Sequence, residues 1–318
     1  MAAPITGPPP WGTPDGPDGT GGLDPPGVFG TSTESAVREF QQRRGLRVDG
    51  ICGDQTWSVL VEAGHRLGDR LLYLRRPALR GDDVAGLQQN LGALGFDAGR
   101  VDGIFGHRTA SALAEFQRNV AIPADGICGG NTVEELARLQ AGKGGASLVT
   151  GVREREHLRR APRTLSRRRL GIGQAGGLGA MVEAVCRELS RAGADAFPFQ
   201  HPSGSRLAHQ ANDAGVEVYV GLGLDPAADS CKIAYYSGYR YESTGGRRLA
   251  ELVTAELTTA LDVPGTATIG MSIPELRETR MPAVLCEMTP PSLLVEHSPQ
   301  VASALVRALL RWASAAWD

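Results

Sequence analysis

The chain has 318 residues, too many for one small core and suited to two or three folded units. Its 33 Lys plus Arg against 35 Asp plus Glu leave a formal net charge of −2, so no global field draws it to nucleic acid or to an anionic membrane. No apolar run reaches the roughly 18 residues of a membrane span, and five cysteines without a CxxC pair argue against a disulfide framework or zinc knuckle and for a reduced cytoplasm.

Residues 1–26, opening MAAPITGPPPWGTPDG, are rich in Pro and Gly and lack the basic and apolar regions of an export signal. A repeat follows. Phe29 to Thr56 pairs without a gap with Phe105 to Thr132, an offset of 76, so that Phe40-Gln41 falls on Phe116-Gln117 and Asp49-Gly50-Ile51-Cys52-Gly53 on Asp125-Gly126-Ile127-Cys128-Gly129. In the first copy Thr31 and Glu34 have capping-box spacing, and Ala36, Val37 and Phe40 give an apolar helix face. The second copy keeps Ala112, Leu113 and Phe116. In each, Asp-Gly signals a turn, and Gly-x-x-Thr opens a further short helix ending near Leu60 or Leu136.

Ahead of the second copy, Gly81 to Phe96 reads as another helix, with Val84, Leu87, Leu91 and Leu94 on one face and Gly95 as its stop. The same offset places its counterpart on ITGPPPWGTPDGPDGT, where Pro and Gly forbid a helix. The first repeat, residues 27–66, is therefore expected to be incomplete, and the second, residues 74–140, to hold three helices. The missing helix is expected upstream of Met1, in which case the protein is an exported one if a signal lies there too. Residues 141–166, with VREREHLRRAPRTLS, read as a solvated basic linker.

From 167 to 318 helices and strands alternate: MVEAVCRELSRAG, SRLAHQANDAG, GRRLAELVTAELTTAL and SPQVASALVRALLRWASAAW as helices, DAFPF, VEVYVGLGL and PAVLCE as strands. That alternation predicts an α/β domain with a largely parallel sheet. Gly171, Gly173 and Gly176 spell GxGxxG, but the preceding residues are Arg167 to Arg169 and the next strand ends in Gln200, so no dinucleotide site is expected. Glu287 stands where the apolar run of PAVLCE stops. An unpaired carboxylate there costs several kcal/mol to bury, which marks it as paired, ligated or at an opening.

The pattern GDDVxxLQxxLxxLGF, VDGIFGxxTxxALxxFQ, DGICGxxT resembles the peptidoglycan-binding repeat of bacterial wall hydrolases. LRETRMPAVLCEMTPPS and ANDAGVEVYVGLGLD resemble the zinc-dependent N-acetylmuramoyl-L-alanine amidases. Together they suggest two small all-α repeats followed by an α/β amidase-like domain, an arrangement similar to that of an actinobacterial, degenerate branch of the family. The resemblance implies that Glu287 holds the position of the glutamate assisting attack of zinc-bound water. It also implies a His, Glu, His ligand set, yet Ala175 stands at the first histidine, the second ligand has no counterpart, and Gly223 stands at the third. Neither can bind Zn²⁺. The resemblance thus implies a cytoplasmic, non-catalytic protein without cofactor. Its implied partner is a peptidoglycan precursor or a pathway enzyme, such as the enolpyruvyl transferase that opens precursor synthesis. The alternative is an exported zinc amidase with other ligands; His201, His209, Glu183 and Glu217 have no zinc-motif spacing.

Overall fold

The computed structural model describes residues 24–140, 154, 156, 158–225, 230–238, 241–261 and 265–317. Five helices come first: α1 (Thr31–Arg44), α2 (Asp54–Ala63), α3 (Asp82–Ala93), α4 (His107–Asn119) and α5 (Gly130–Gln140). The second repeat is a closed three-helix unit of α3, α4 and α5. Leu87 and Leu91 from α3, Leu113 and Phe116 from α4 and Leu136 from α5 all have no exposed surface. Among the described residues the first repeat has α1 and α2. Phe29 is 57% exposed, whereas its counterpart Phe105 is fully buried. Val37 and Phe40 are only half-buried where Leu113 and Phe116 are sealed, because no helix among the described residues takes the place of α3.

One buried amide organises each turn. Gln117 Nε2 donates to Asp125, to the Ile127 carbonyl and to Thr132, while its Oε1 accepts from Gly126 N–H. Gln41 makes the same bonds to Asp49, Ile51, Thr56 and Gly50, and Gln88 to Asp102, Ile104, Thr109 and Gly103. Each glutamine thus spends its hydrogen-bonding capacity on holding an Asp-Gly-Ile turn against a helix, as a buried amide must.

The start of α1 differs from the capping box expected at Thr31. Gly30 is the N-cap and makes no side-chain bond, whereas Asp24 accepts from Gly30 N–H, Thr33 N–H and the Thr33 hydroxyl. Those bonds, the Thr33 hydroxyl foremost, hold the Asp24 carboxyl at about 2. The cap comes from upstream rather than from Thr31.

The α/β domain carries β1 (Arg169–Gln174), α6 (Gly179–Arg191), β2 (Asp195–Gln200), α7 (Gly204–Asp213), β3 (Val218–Leu224), β4 (Lys232–Tyr236), α8 (Thr244–Leu261), β5 (Ala267–Met271), α9 (Pro274–Arg277), β6 (Ala283–Met288), α10 (Pro291–Glu296) and α11 (Ser298–Ser314). Its six-stranded sheet runs β2-β1-β3-β6-β4-β5, parallel throughout except for the β4–β6 pair. On one face Ile172, Val220, Val284 and Cys286 pack against α6, α8 and α11, with Trp312 sealed beneath. The other face presents Tyr219, Ala283 and Leu285 to α7 and α9, and Ala85 and Val101 of the second repeat join that core.

The described part of the expected linker keeps Arg159 and Arg160 exposed but is anchored to the domain at a few points. Glu154 accepts from the hydroxyls of Tyr241 and Ser243 and from Thr244 N–H, and Leu158 and Leu165 are buried in the sheet's core. Residues 1–23 and 141–153 lie outside the described residues.

Candidate functional site

Parallel strands bring their C-terminal ends to one edge, where open α/β sheets place their ligands. Gln174 pairs with Leu222 in the β1–β3 register, and Gly223 pairs with Glu287 in the β3–β6 register. Continuing the first register by one residue sets Ala175 beside Gly223. Ala175, Gly223 and Glu287, separated by 112 positions in the sequence (Ala175 to Glu287), therefore form one row along this edge. A Cβ added at Gly223 would have the Glu287 Cγ at 3.8 Å, ordinary contact distance, so a larger residue here faces Glu287 directly.

Alternation along β6 turns Glu287 to the same face as Ala283 and Leu285, toward the repeats. Its side chain is 10% exposed, and Oε1 accepts from Arg47 Nη2 at 2.5 Å. The other arm of that guanidinium donates to Asp225 at 2.8 Å, and Lys232 Nζ stands 4.0 Å from the same Asp225 oxygen. Burial works against the Arg47 charge, but Glu287 and Asp225 outweigh it and raise its pKa. The carboxylate that closes β6 is thus an ion-pair partner of the first repeat.

A second acid lies deeper on this face. Glu275, from α9, is 8% exposed and accepts a 2.7 Å hydrogen bond from Tyr219. Burial, with a smaller push from the Glu287 charge, raises its pKa to about 7 despite the opposing tyrosine bond. Gly221 leaves room for it, since a Cβ there would lie 2.4 Å from a Glu275 oxygen. Nothing in the sequence pattern singled out Glu275; a Glu after Ile-Pro reads as an ordinary helix start.

The residues at the edge do not fit a zinc ion. Ala175 and Gly223 offer no donor, Gln174 turns its amide oxygen to Leu178 N–H at 3.0 Å, and the two acids hold Arg47. A guanidinium already between the carboxylates, with an ammonium beside them, opposes a divalent cation. Among the described residues no group of three or more His, Cys, Asp or Glu side chains has a metal-holding arrangement.

The remaining sequence candidates are not brought together. His201 Nδ1 accepts from Ser203 N–H in the loop after β2, while His209 is exposed on α7 with Nδ1 bonded to the Ser205 carbonyl. Glu217 stands near Arg168 and Arg169, and Glu183 is exposed on α6. Gly171 and Gly173 lie inside β1 rather than in a turn after it, which removes the dinucleotide geometry, and a Cβ at Gly173 would strike the Tyr219 hydroxyl.

The repeats meet this face through arginines that sequence reasoning did not find. Arg277 donates to Glu62 of α2 at 2.7 Å and to the Asp102 carbonyl at 2.7 Å, so one side chain of α9 touches both repeats. Arg80 pairs with Glu278 at 2.8 Å. Arg100 donates to the Thr279 carbonyl and lies over Tyr236, 4.7 Å from the ring centre. A cavity of about 40 Å³ remains at this junction, lined by Arg44, Glu62, Asp82, Tyr236 and Arg277 among others.

Comparison with known proteins places these features. The peptidoglycan binding domain family matches residues 16–60 and 80–136. The N-acetylmuramoyl-L-alanine amidase CwlM of Mycobacterium tuberculosis is 34% identical over 287 residues, covering 81% of this chain and 70% of that protein. The N-acetylmuramoyl-L-alanine amidase CwlL of Bacillus licheniformis is 31% identical over 36% of this chain and 37% of its own length. Among solved structures, the N-acetylmuramoyl-L-alanine amidase of Clostridium difficile 630 aligns with 46% of this chain and 97% of its own, at 18% identity and a TM-score of 0.39.

Proposed function

The chain belongs to the N-acetylmuramoyl-L-alanine amidase family, and from that premise we propose that it is a non-catalytic member, a pseudo-amidase that binds a peptidoglycan precursor or a pathway enzyme and regulates cell-wall synthesis. It carries peptidoglycan-binding domains and an amidase-like α/β domain, so its partner is peptidoglycan-related. The observation that supports loss of catalysis is the row at the sheet edge. Amide hydrolysis at neutral pH needs a metal to acidify water and polarise the carbonyl, and beside Glu287 the row offers a glycine, an alanine and a competing guanidinium. Glu287 keeps its place as one half of an ion pair.

No helix among the described residues is long and apolar enough to cross a membrane. Five free thiols, three of them buried, suit a reducing compartment, and we place the protein in the cytoplasm. The reading is tested by titrating the purified chain against a soluble muramoyl-peptide precursor and against reconstituted precursor-synthesis enzymes. A measurable complex, or an altered rate of the first committed step, is expected. Absence of both, together with chelator-sensitive release of peptide from isolated walls, contradicts it.

A further inference from the structure

The contact between the first repeat and the sheet edge is built by a tight turn. Gly45 ends α1 in the left-handed region at φ 64°, and its carbonyl accepts from Ser272 N–H at 2.6 Å. A Cβ at Gly45 would lie 2.7 Å from the Ser237 carbonyl oxygen, so the turn is seated directly on the loops that follow β4 and β5. Leu46 is then buried, and Arg47 extends across the sheet edge to reach Asp225 and Glu287, 178 and 240 residues further along the chain. The exposures are unequal: the two carboxylates are 9% and 10% exposed, the arginine 51%. Arg47 is thus the water-facing partner of two nearly buried acids.

We propose that Arg47 is a latch that holds the first repeat over the C-terminal edge of the sheet, closing the cleft that contains Glu287, so that the repeat must lift before any ligand reaches it. Two features make such a contact reversible. Its cation is half in water, where ion pairs contribute little and salt screens them. Two further ties from this repeat to the rest of the chain, Glu62 to Arg277 and Arg44 to Asp82, are ion pairs as well, while Leu46 is an apolar side chain that lifting uncovers. The latch does not depend on the pseudo-amidase reading, since an inert and a working cleft are closed by the same geometry.

The Ser272 amide reports the seat, because its acceptor is Gly45 of the first repeat. Its hydrogen-exchange rate is measured by NMR in the full chain and in Arg47→Ala, with Gly45→Ala setting the rate of the lifted repeat and Arg43→Ala, an exposed neighbour paired with Glu39 of α1, as control. Arg47→Ala is expected to speed Ser272 exchange at least about fivefold, while amides of β3 and β6 keep their rates. Arg47→Lys is expected to fall between, and added salt to speed the parent more than Arg47→Ala, which keeps the Glu62–Arg277 and Arg44–Asp82 pairs of this repeat. Equal Ser272 rates in the parent and Arg47→Ala overturn the latch. So does an equal acceleration by Arg43→Ala, which marks a loss of helix stability instead.

Discussion

Truncating Phe116 and Phe40 to alanine should give unequal losses at two aligned positions. Phe116 has no exposed surface, lies edge-on to Phe96 at 5.6 Å between ring centres, and is covered by Leu87 and Leu91 from α3. Removing a sealed phenyl ring costs about 3–5 kcal/mol in lost transfer energy and cavity. Phe40 occupies the same place in the first repeat, but it is only half-buried, with the Arg44 guanidinium 5.5 Å from its ring centre. With about half the apolar area withdrawn from water, its truncation should cost roughly 1–2 kcal/mol. The chain is not a two-state unit, so the assay is native-state hydrogen exchange of the amides of α4 and α1, read helix by helix. Equal losses at the two sites, or a loss below about 1 kcal/mol at Phe116, would refute the account of a closed second repeat and an open first one.

Glu275 should give the protein a pH dependence. The folded chain keeps its proton up to about pH 7, whereas the unfolded chain releases it near 4.5, so this stabilisation is complete below about 4.5 and is lost as pH rises through 7. The shift amounts to about 3 kcal/mol at most; Glu275→Gln should flatten stability between those values in urea titrations, and an unchanged slope counts against the assignment. Glu287→Gln should cost no more than about 1 kcal/mol, because its partner Arg47 is half exposed. A calorimetric loss above about 3 kcal/mol would mean that the pair behaves as a buried one.

The repeats were legible because their signals are local. Asp-Gly-Ile-Cys-Gly with a Thr three residues on fixes a turn and a helix start, and the 76-residue offset carries Phe40 onto Phe116. The glutamine network was visible only as Gln41 aligning with Gln117; its third instance, Gln88, lies in another spacing, 14 residues before its aspartate rather than 8. Strands β4 and β5 went unread because each has five residues and gains its partner from elsewhere in the chain. Strand β1 was hidden by Gly171 and Gly173, which look like a loop and are instead where Phe199 and Tyr219 pack. The row of Ala175, Gly223 and Glu287 was legible only through family resemblance. Its covering residue was not legible at all, since an Arg47 to Glu287 contact joins residues whose local sequences contain no trace of each other.

If the chain is a pseudo-amidase, as proposed, its amidase-like domain carries out no zinc-dependent hydrolysis. The most direct measurement is elemental analysis of the purified chain beside muropeptide release from isolated walls, with and without a chelator and with Glu287→Gln as comparison. On that reading, zinc far below one equivalent and no release from either chain are expected. Near-stoichiometric zinc, with release that the chelator abolishes and Glu287→Gln cuts by a factor of at least about 10², would contradict it.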